Sequence, residues 1–179
     1  MIKNSKSGGA TTTANGNAFE QKMDLEKFLI DNEFQVNEVK KRKYKEVIKD
    51  GEIVGYLTKK NSLYKFLEDK GIDWTTKISK KLLPDEAFYT IINNVFHVIE
   101  YKFQNRQGSV DEKIQTCGFK KRQYNRLLSD LGYNVKYSYV LSSWFERPEY
   151  ADVKEYIIET GCNYFIEELP TEIINFVKD

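Results

Sequence analysis

A single histidine, His97, stands in 179 residues. That removes most His-based metal sites and argues against Ser-His-Asp chemistry. The two cysteines, Cys117 and Cys162, lack metal-ligand spacing and read as reduced thiols of a cytosolic protein. No apolar run approaches the roughly 20 residues a membrane helix needs. The N-terminus shows no apolar signal-peptide core, so the expected location is the cytoplasm, with no membrane partner. There is no internal repeat and no Gly-rich phosphate loop. Net charge is scarce too, at only +1.

The distribution of charge says more than its sum. From Glu146 to Asp179 there are nine acidic and three basic side chains, a net of −6, which leaves +7 for the preceding part. Basic clusters fall at Lys40–Lys43, Lys59-Lys60, Lys80-Lys81 and Lys120–Arg122. A basic body with an acidic tail suits a protein that presents one face to phosphate. Taken singly, each cluster is ordinary solvated surface. Apolar content is 40% and charged content 31%, ordinary for a globular protein. The length fits one domain, expected over 16–179 behind a flexible arm of residues 1–15.

The informative stretch is LLPDEAFYTIINNVFHVIEYKFQ, Leu82 to Gln104. Two β-rich runs, Ala87–Ile92 and Val95–Gln104, flank Asn93-Asn94. Asn tolerates positive φ, so Asn-Asn predicts a two-residue hairpin turn. That register sets Ile92 against Val95, Ala87 against Glu100 and Asp85 against Lys102. With period-two alternation, Asp85, Glu100 and Lys102 then share one face, and His97 points the other way. Two like charges so placed need a cation. A hard divalent ion with oxygen ligands answers that need, and Mg²⁺ is commonly held by one or two carboxylates plus substrate phosphate. The plain alternative is a surface hairpin with a cross-strand Asp–Lys ion pair.

Pro84-Asp85 followed by Glu100-Tyr101-Lys102 resembles the PD-(D/E)XK motif of type II restriction endonucleases and related DNA-cutting enzymes. The likeness covers roughly residues 84–122. It implies an α/β fold, a mixed central β-sheet flanked by helices in a restriction-endonuclease-like core. It implies a metal held by Asp85, Glu100 and the Tyr101 backbone carbonyl, with Mg²⁺ native and Mn²⁺ able to substitute. Lys102 would orient or deprotonate the attacking water. An acidic residue on the first helix often reaches the metal in that family. Glu20 is thus a possible accessory ligand, or else a solvated Glu favoured near a helix N-terminus.

The rest of the chain supplies context. A first helix is predicted from about Asn17 to Ile30, with Phe19, Met23, Leu25, Phe28 and Leu29 at helical spacing and Glu20 in its first turns. Asp50-Gly51 between Lys43–Lys49 and Glu52–Lys59 signals a hairpin, and Asn61–Lys70 a short amphipathic helix. This 40–80 segment is a possible insertion that contacts DNA or a partner subunit. Ser109-Val110-Asp111-Glu112 reads as a capping box opening a helix from Ser109 to Leu131. Its free N–H groups can hold a phosphate oxygen. Ser109 and Lys113 can add contacts, as can Lys120, Lys121 and Arg122 further along and Gln104 on the face of Lys102. Further predicted elements are a strand at Val135–Leu141, a helix at Glu149–Glu159, a strand at Asn163–Glu167 and a last helix at Thr171–Val177.

The expected activity is therefore Mg²⁺-dependent hydrolysis of double-stranded DNA at a short palindromic site, leaving 5′-phosphates. One site per chain implies a C2 homodimer for a double-strand break. A restriction enzyme also implies a cognate DNA methyltransferase. The alternatives are a structure-selective or repair nuclease of the same superfamily, such as a junction resolvase, and a non-catalytic nucleic-acid-binding domain.

Overall fold

The computed structural model describes residues 8–107 and 110–175, with side chains from residue 14 onward. Helices α1 (Gly8–Lys22) and α2 (Leu25–Asp31) lead into strand β1 (Gln35–Glu38) and the hairpin β2 (Lys45–Lys49) and β3 (Glu52–Thr58). Helix α3 (Ser62–Asp69) precedes the second hairpin, β4 (Glu86–Thr90) and β5 (Val95–Lys102). Then come α4 (Val110–Ile114), α5 (Cys117–Leu127), β6 (Asn134–Leu141), α6 (Ala151–Glu159) and β7 (Asn163–Ile166). Among the described residues the strands form one sheet in sequential order, antiparallel from β1 to β5 and parallel from β5 to β7. The fold is thus α/β, a seven-stranded mixed sheet flanked by helices. None of the described helices is long and apolar enough to cross a membrane.

Both faces of the sheet are covered, which is why β5 reads as a near-continuous apolar run. Phe96 and Val98 pack on one side with Leu63, Phe66 and Leu67 of α3, Tyr124 and Leu127 of α5 and Ile157 of α6. Their odd-numbered neighbours Ile99 and Tyr101 pack on the other side with Phe19, Met23, Leu25 and Leu29. Leu25 and Leu29 are fully buried, and each such side chain contributes roughly 1.5–3 kcal/mol of burial free energy.

At the first hairpin Asp50 and Gly51 both take positive φ, 52° and 82°, as a two-residue turn needs. Next to it, β3 and β4 approach so closely that a Cβ on Gly55 would strike the Tyr89 carbonyl and the Phe88 ring. The 40–80 segment is built into the body: β2 and β3 extend the sheet and α3 lies in the core.

Several expectations are corrected. The second hairpin has a four-residue loop, with Thr90 opposite Val95 and Glu86 opposite Ile99. Of the two asparagines only Asn94 has positive φ, 56°. Asn93 instead uses its side-chain carbonyl on the Thr90 hydroxyl and the Val95 N–H. Extending the register puts Asp85 opposite Glu100, not Lys102. The shift is two residues, so Asp85, Glu100 and Lys102 keep their common face.

The arm expected over 1–15 is helical from Gly8. The first helix is interrupted at Asp24, whose carboxylate caps α2 by accepting from Lys27 N–H at 2.9 Å. Glu20 therefore sits near the end of α1, not in its first turns. The single helix expected over 109–131 breaks before Cys117. There the Thr116 hydroxyl donates to the Lys113 carbonyl at 2.7 Å, competing with the helical bond. The last helix is reduced to a 3₁₀ turn at Thr171–Ile173; its remaining expected residues 176–177 lie outside the described residues. Strand β1 was not expected at all.

His97 is buried, between Phe88 on β4 and Lys136 on β6, on the sheet face opposite Glu100 and Lys102. Burial, aided by the Lys136 charge, pulls its pKa from the usual 6.5 to about 4. A depressed histidine pKa stabilises the fold above pH 6.5, and that contribution is lost as pH falls towards 4. At about 1.4 kcal/mol per pH unit it amounts to roughly 3 kcal/mol over the span. His97→Leu should therefore flatten the acid side of the stability profile in urea unfolding between pH 7 and 4.5. Identical profiles for the two proteins would mean that the imidazole ionises unhindered in the fold.

Candidate active site

The C-terminal end of β5 carries Glu100 and Lys102 on the face covered by α5. Asp85 lies at the bend just before β4 and is pinned by the Tyr101 N–H, which donates to Oδ2 at 3.0 Å. The Lys102 ammonium is the centre of the arrangement. Its Nζ lies 3.0 Å from Glu100 Oε2, 3.4 Å from Asp85 Oδ2 and 2.8 Å from the Tyr101 carbonyl oxygen. Those three oxygens are the donor set that the PD-(D/E)XK resemblance assigns to the metal. Side-chain exposure is 14% for Lys102, 20% for Asp85 and 8% for Glu100. The group is sheltered, yet it opens at Asp85 into a cleft of about 430 Å³ that Glu20, Lys59 and Lys60 also line. Another cleft, of about 270 Å³, is lined by Glu20, Lys102 and Lys113.

Burial pulls the Lys102 ammonium down, but Glu100 and Asp85 outweigh it and hold the group above the usual lysine range. As it stands, Lys102 is firmly a cation. For Glu20 burial raises the carboxyl pKa, and the negative charge of Asp85 adds to it, against Lys60 and Lys102. Glu20 thus senses the other two carboxylates. It does not close with them into a ready-made cluster: among the described residues no three His, Cys, Asp or Glu side chains are grouped to hold a metal. The donors that do converge are two carboxylates and a carbonyl around one positive charge. They fit a hard divalent ion that completes its shell with water and phosphate.

Two features were not foreseen. Glu86, next to Asp85, points to the opposite face and is only 3% exposed. It accepts from the Leu25 N–H at 2.9 Å, pairs with Lys59 at 2.8 Å and meets the Tyr101 hydroxyl. That hydroxyl also donates to the Met23 carbonyl at 2.7 Å. The network ties the end of α1, and Glu20 with it, to the strand that carries the site. Its sequence signal is an acidic residue opening the apolar run Ala87-Phe88. The second feature is Lys120, whose Nζ lies 3.0 Å from Glu100 Oε2. It had been expected only as a DNA contact.

The other expected DNA contacts scatter. Lys113 lies beside Lys102 and Glu20. Lys121 donates to the Gly161 carbonyl at 2.6 Å, away from the site. Arg122 is exposed on α5 over the Phe119 ring, 5.8 Å from its centroid. Gln104 is buried, and its amide donates to Asp111 at 2.9 Å, so it links β5 to α4 instead of facing outwards. Ser109, the expected N-cap of the capping box, lies outside the described residues, while Asp111 and Glu112 fall in the first turn of α4. Set against models of protein families, curated proteins and solved structures, the chain matches none of them.

Proposed function

We propose that this chain is a metal-dependent endodeoxyribonuclease of the PD-(D/E)XK kind, acting as a type II restriction enzyme on double-stranded DNA. The observation that carries the reading is the convergence of Asp85, Glu100 and the Tyr101 carbonyl on the Lys102 ammonium. The sheet supports it: an antiparallel hairpin running into parallel strands, with helices on both faces, is the order expected of that nuclease core.

Asp85, Glu100 and the Tyr101 carbonyl would hold Mg²⁺, or Mn²⁺ in its place, with Glu20 as an accessory carboxylate. A bound divalent ion would supply charge stabilisation at the scissile phosphate and acidify water. The chain's own part is to orient and neutralise. Lys102 holds the attacking water and offsets negative charge that develops on the phosphate oxygens. The water oxygen bonds to phosphorus in line as the 3′ oxygen leaves, so the product keeps a 5′-phosphate. Each chain has one such site, so a double-strand cut calls for a C2 homodimer on a palindrome. A restriction role brings with it a methyltransferase of the same specificity.

One observation favours a second reading, a structure-selective nuclease such as a junction resolvase. The 40–80 segment, expected as an insertion that contacts DNA or a partner subunit, is largely built into the sheet and core through β2, β3 and α3. That leaves the connections around 39–44 and 70–81, and the 142–150 segment, to enter a groove.

Plasmid digestion with Mg²⁺, with and without EDTA, tests both readings. Sharp bands that vanish with EDTA are the expected result. Selective nicking of a four-way junction would favour the second reading. No cleavage of any duplex or junction would leave a non-catalytic nucleic-acid-binding domain.

A further inference from the structure

We propose that Lys120 is a second cationic group for the reacting phosphate, stored on Glu100 until Glu100 takes up a divalent ion. The proposal rests on the nuclease reading and adds a residue to its machinery.

Glu100 Oε2 accepts from two ammonium groups at once, Lys102 and Lys120, each at 3.0 Å. Two ammonium groups balance the two carboxylates Asp85 and Glu100, yet both crowd onto one oxygen of Glu100, and only Lys102 also pairs with Asp85. The two lysines are also held very differently. Lys102 has three oxygen partners and 14% side-chain exposure. Lys120 has Glu100 and 30% exposure. It reaches the site from α5, whose first turn stands over the end of β5, while Lys102 belongs to the strand itself.

A divalent ion on Glu100 and Asp85 changes this balance. The shared oxygen then faces two positive charges on the ion and can no longer favour both lysines. Lys120 has the fewest partners to lose and the more open surroundings, so it is the group displaced. A phosphate oxygen bound beside the ion is the nearest new anion, and a flexible four-carbon stem lets the ammonium follow it. No proton or covalent bond changes hands; Lys120 contributes a fixed positive charge where negative charge develops. A purely structural counter-ion would behave in the opposite way. It would hold Glu100 in place for the metal, and its removal would weaken metal binding.

The test uses the full chain with Lys120→Ala and Lys120→Arg, checked by thermal melts. Calorimetric Mg²⁺ titration without DNA should show tighter binding by Lys120→Ala, by a few-fold, because a competing cation is gone. Duplex affinity should be measured against salt, in Ca²⁺ and in EDTA. The Lys120→Ala slope of log K on log salt should be shallower by about one unit in Ca²⁺ and unchanged in EDTA. Single-turnover cleavage should fall ~10²–10³-fold in Lys120→Ala, and Lys120→Arg should recover most of it, since charge alone is required. Weaker metal binding, or cleavage within threefold of wild type, would overturn the role given to Lys120. Arginine settles the matter if the alanine variant melts early: cleavage by Lys120→Arg as low as a Lys102 variant would also overturn it. A wild-type chain that binds metal and cleaves nothing would instead overturn the nuclease reading itself.

Discussion

Lys102→Ala should abolish measurable cleavage while metal binding survives or improves. An electrostatic group at a developing oxyanion is worth ~10²–10³ in rate, and positioned proton transfer a further ~10²–10⁴. Losing both removes at least four orders of magnitude. The geometry also says when the lysine can act. While Glu100, Asp85 and the Tyr101 carbonyl surround it, its pKa is held up and it cannot give away a proton. It becomes a usable base only when another cation takes over those oxygens. Metal affinity should rise in the alanine variant, because the ammonium and the ion compete for the same three oxygens. Lys102→Arg should rescue little, since a guanidinium stays protonated and its planar fork does not fit a point-charge site. Lys120 remains on Glu100 in both variants, so that buried carboxylate keeps a partner and the fold should hold. Single-turnover cleavage beside Mg²⁺ and Mn²⁺ calorimetry gives the answer. Normal cleavage, or metal affinity lost outright, would remove Lys102 from the centre of the site.

Much of this site was legible because strand alternation is forgiving. The expected hairpin register was wrong by two residues, and a two-residue error returns every side chain to the same face. Asp85, Glu100 and Lys102 were therefore grouped correctly from a turn that was read incorrectly. The turn misled because Asn93 bonds Thr90 and Val95 with its side chain instead of taking positive φ. Nothing in a dipeptide distinguishes those two uses of asparagine. Helix boundaries failed for a related reason: Asp24 and Thr116 use short polar side chains on nearby backbone groups, which breaks helices that apolar spacing alone would continue. Long-range partners were the least legible. Lys120 and Glu100 are 20 residues apart, and only the packing of α5 over β5 brings them together. For Glu86 the local pattern marks an acidic residue opening an apolar run, but not its partner, the Leu25 N–H 61 residues away. Gln104 showed the converse, a residue on the right face whose depth in the core the pattern could not reveal.

Asp85→Ala and Glu100→Ala should each eliminate cleavage with DNA affinity unchanged or higher. Both carboxylates repel phosphate when no metal is present, so removing either reduces that repulsion. The two variants should differ in everything else. Asp85→Ala leaves the Tyr101 N–H without its carboxylate acceptor. That N–H lies near the end of β5, between Glu100 and Lys102, so the loss should loosen the bend at Pro84-Asp85 and cost about 1–3 kcal/mol of stability. Glu100→Ala removes the shared partner of two lysines, yet Lys102 keeps Asp85 and the Tyr101 carbonyl. Lys120 alone is set free, so this variant should bind duplex with a steeper salt dependence than wild type in EDTA, gaining about one phosphate contact. Cleavage, Mg²⁺ calorimetry and salt-dependent binding on both variants separate these effects. Turnover within tenfold of wild type in either one would sink the metal assignment. An unchanged salt slope in Glu100→Ala would instead mean that Lys120 lies out of reach of DNA, whichever partner it has.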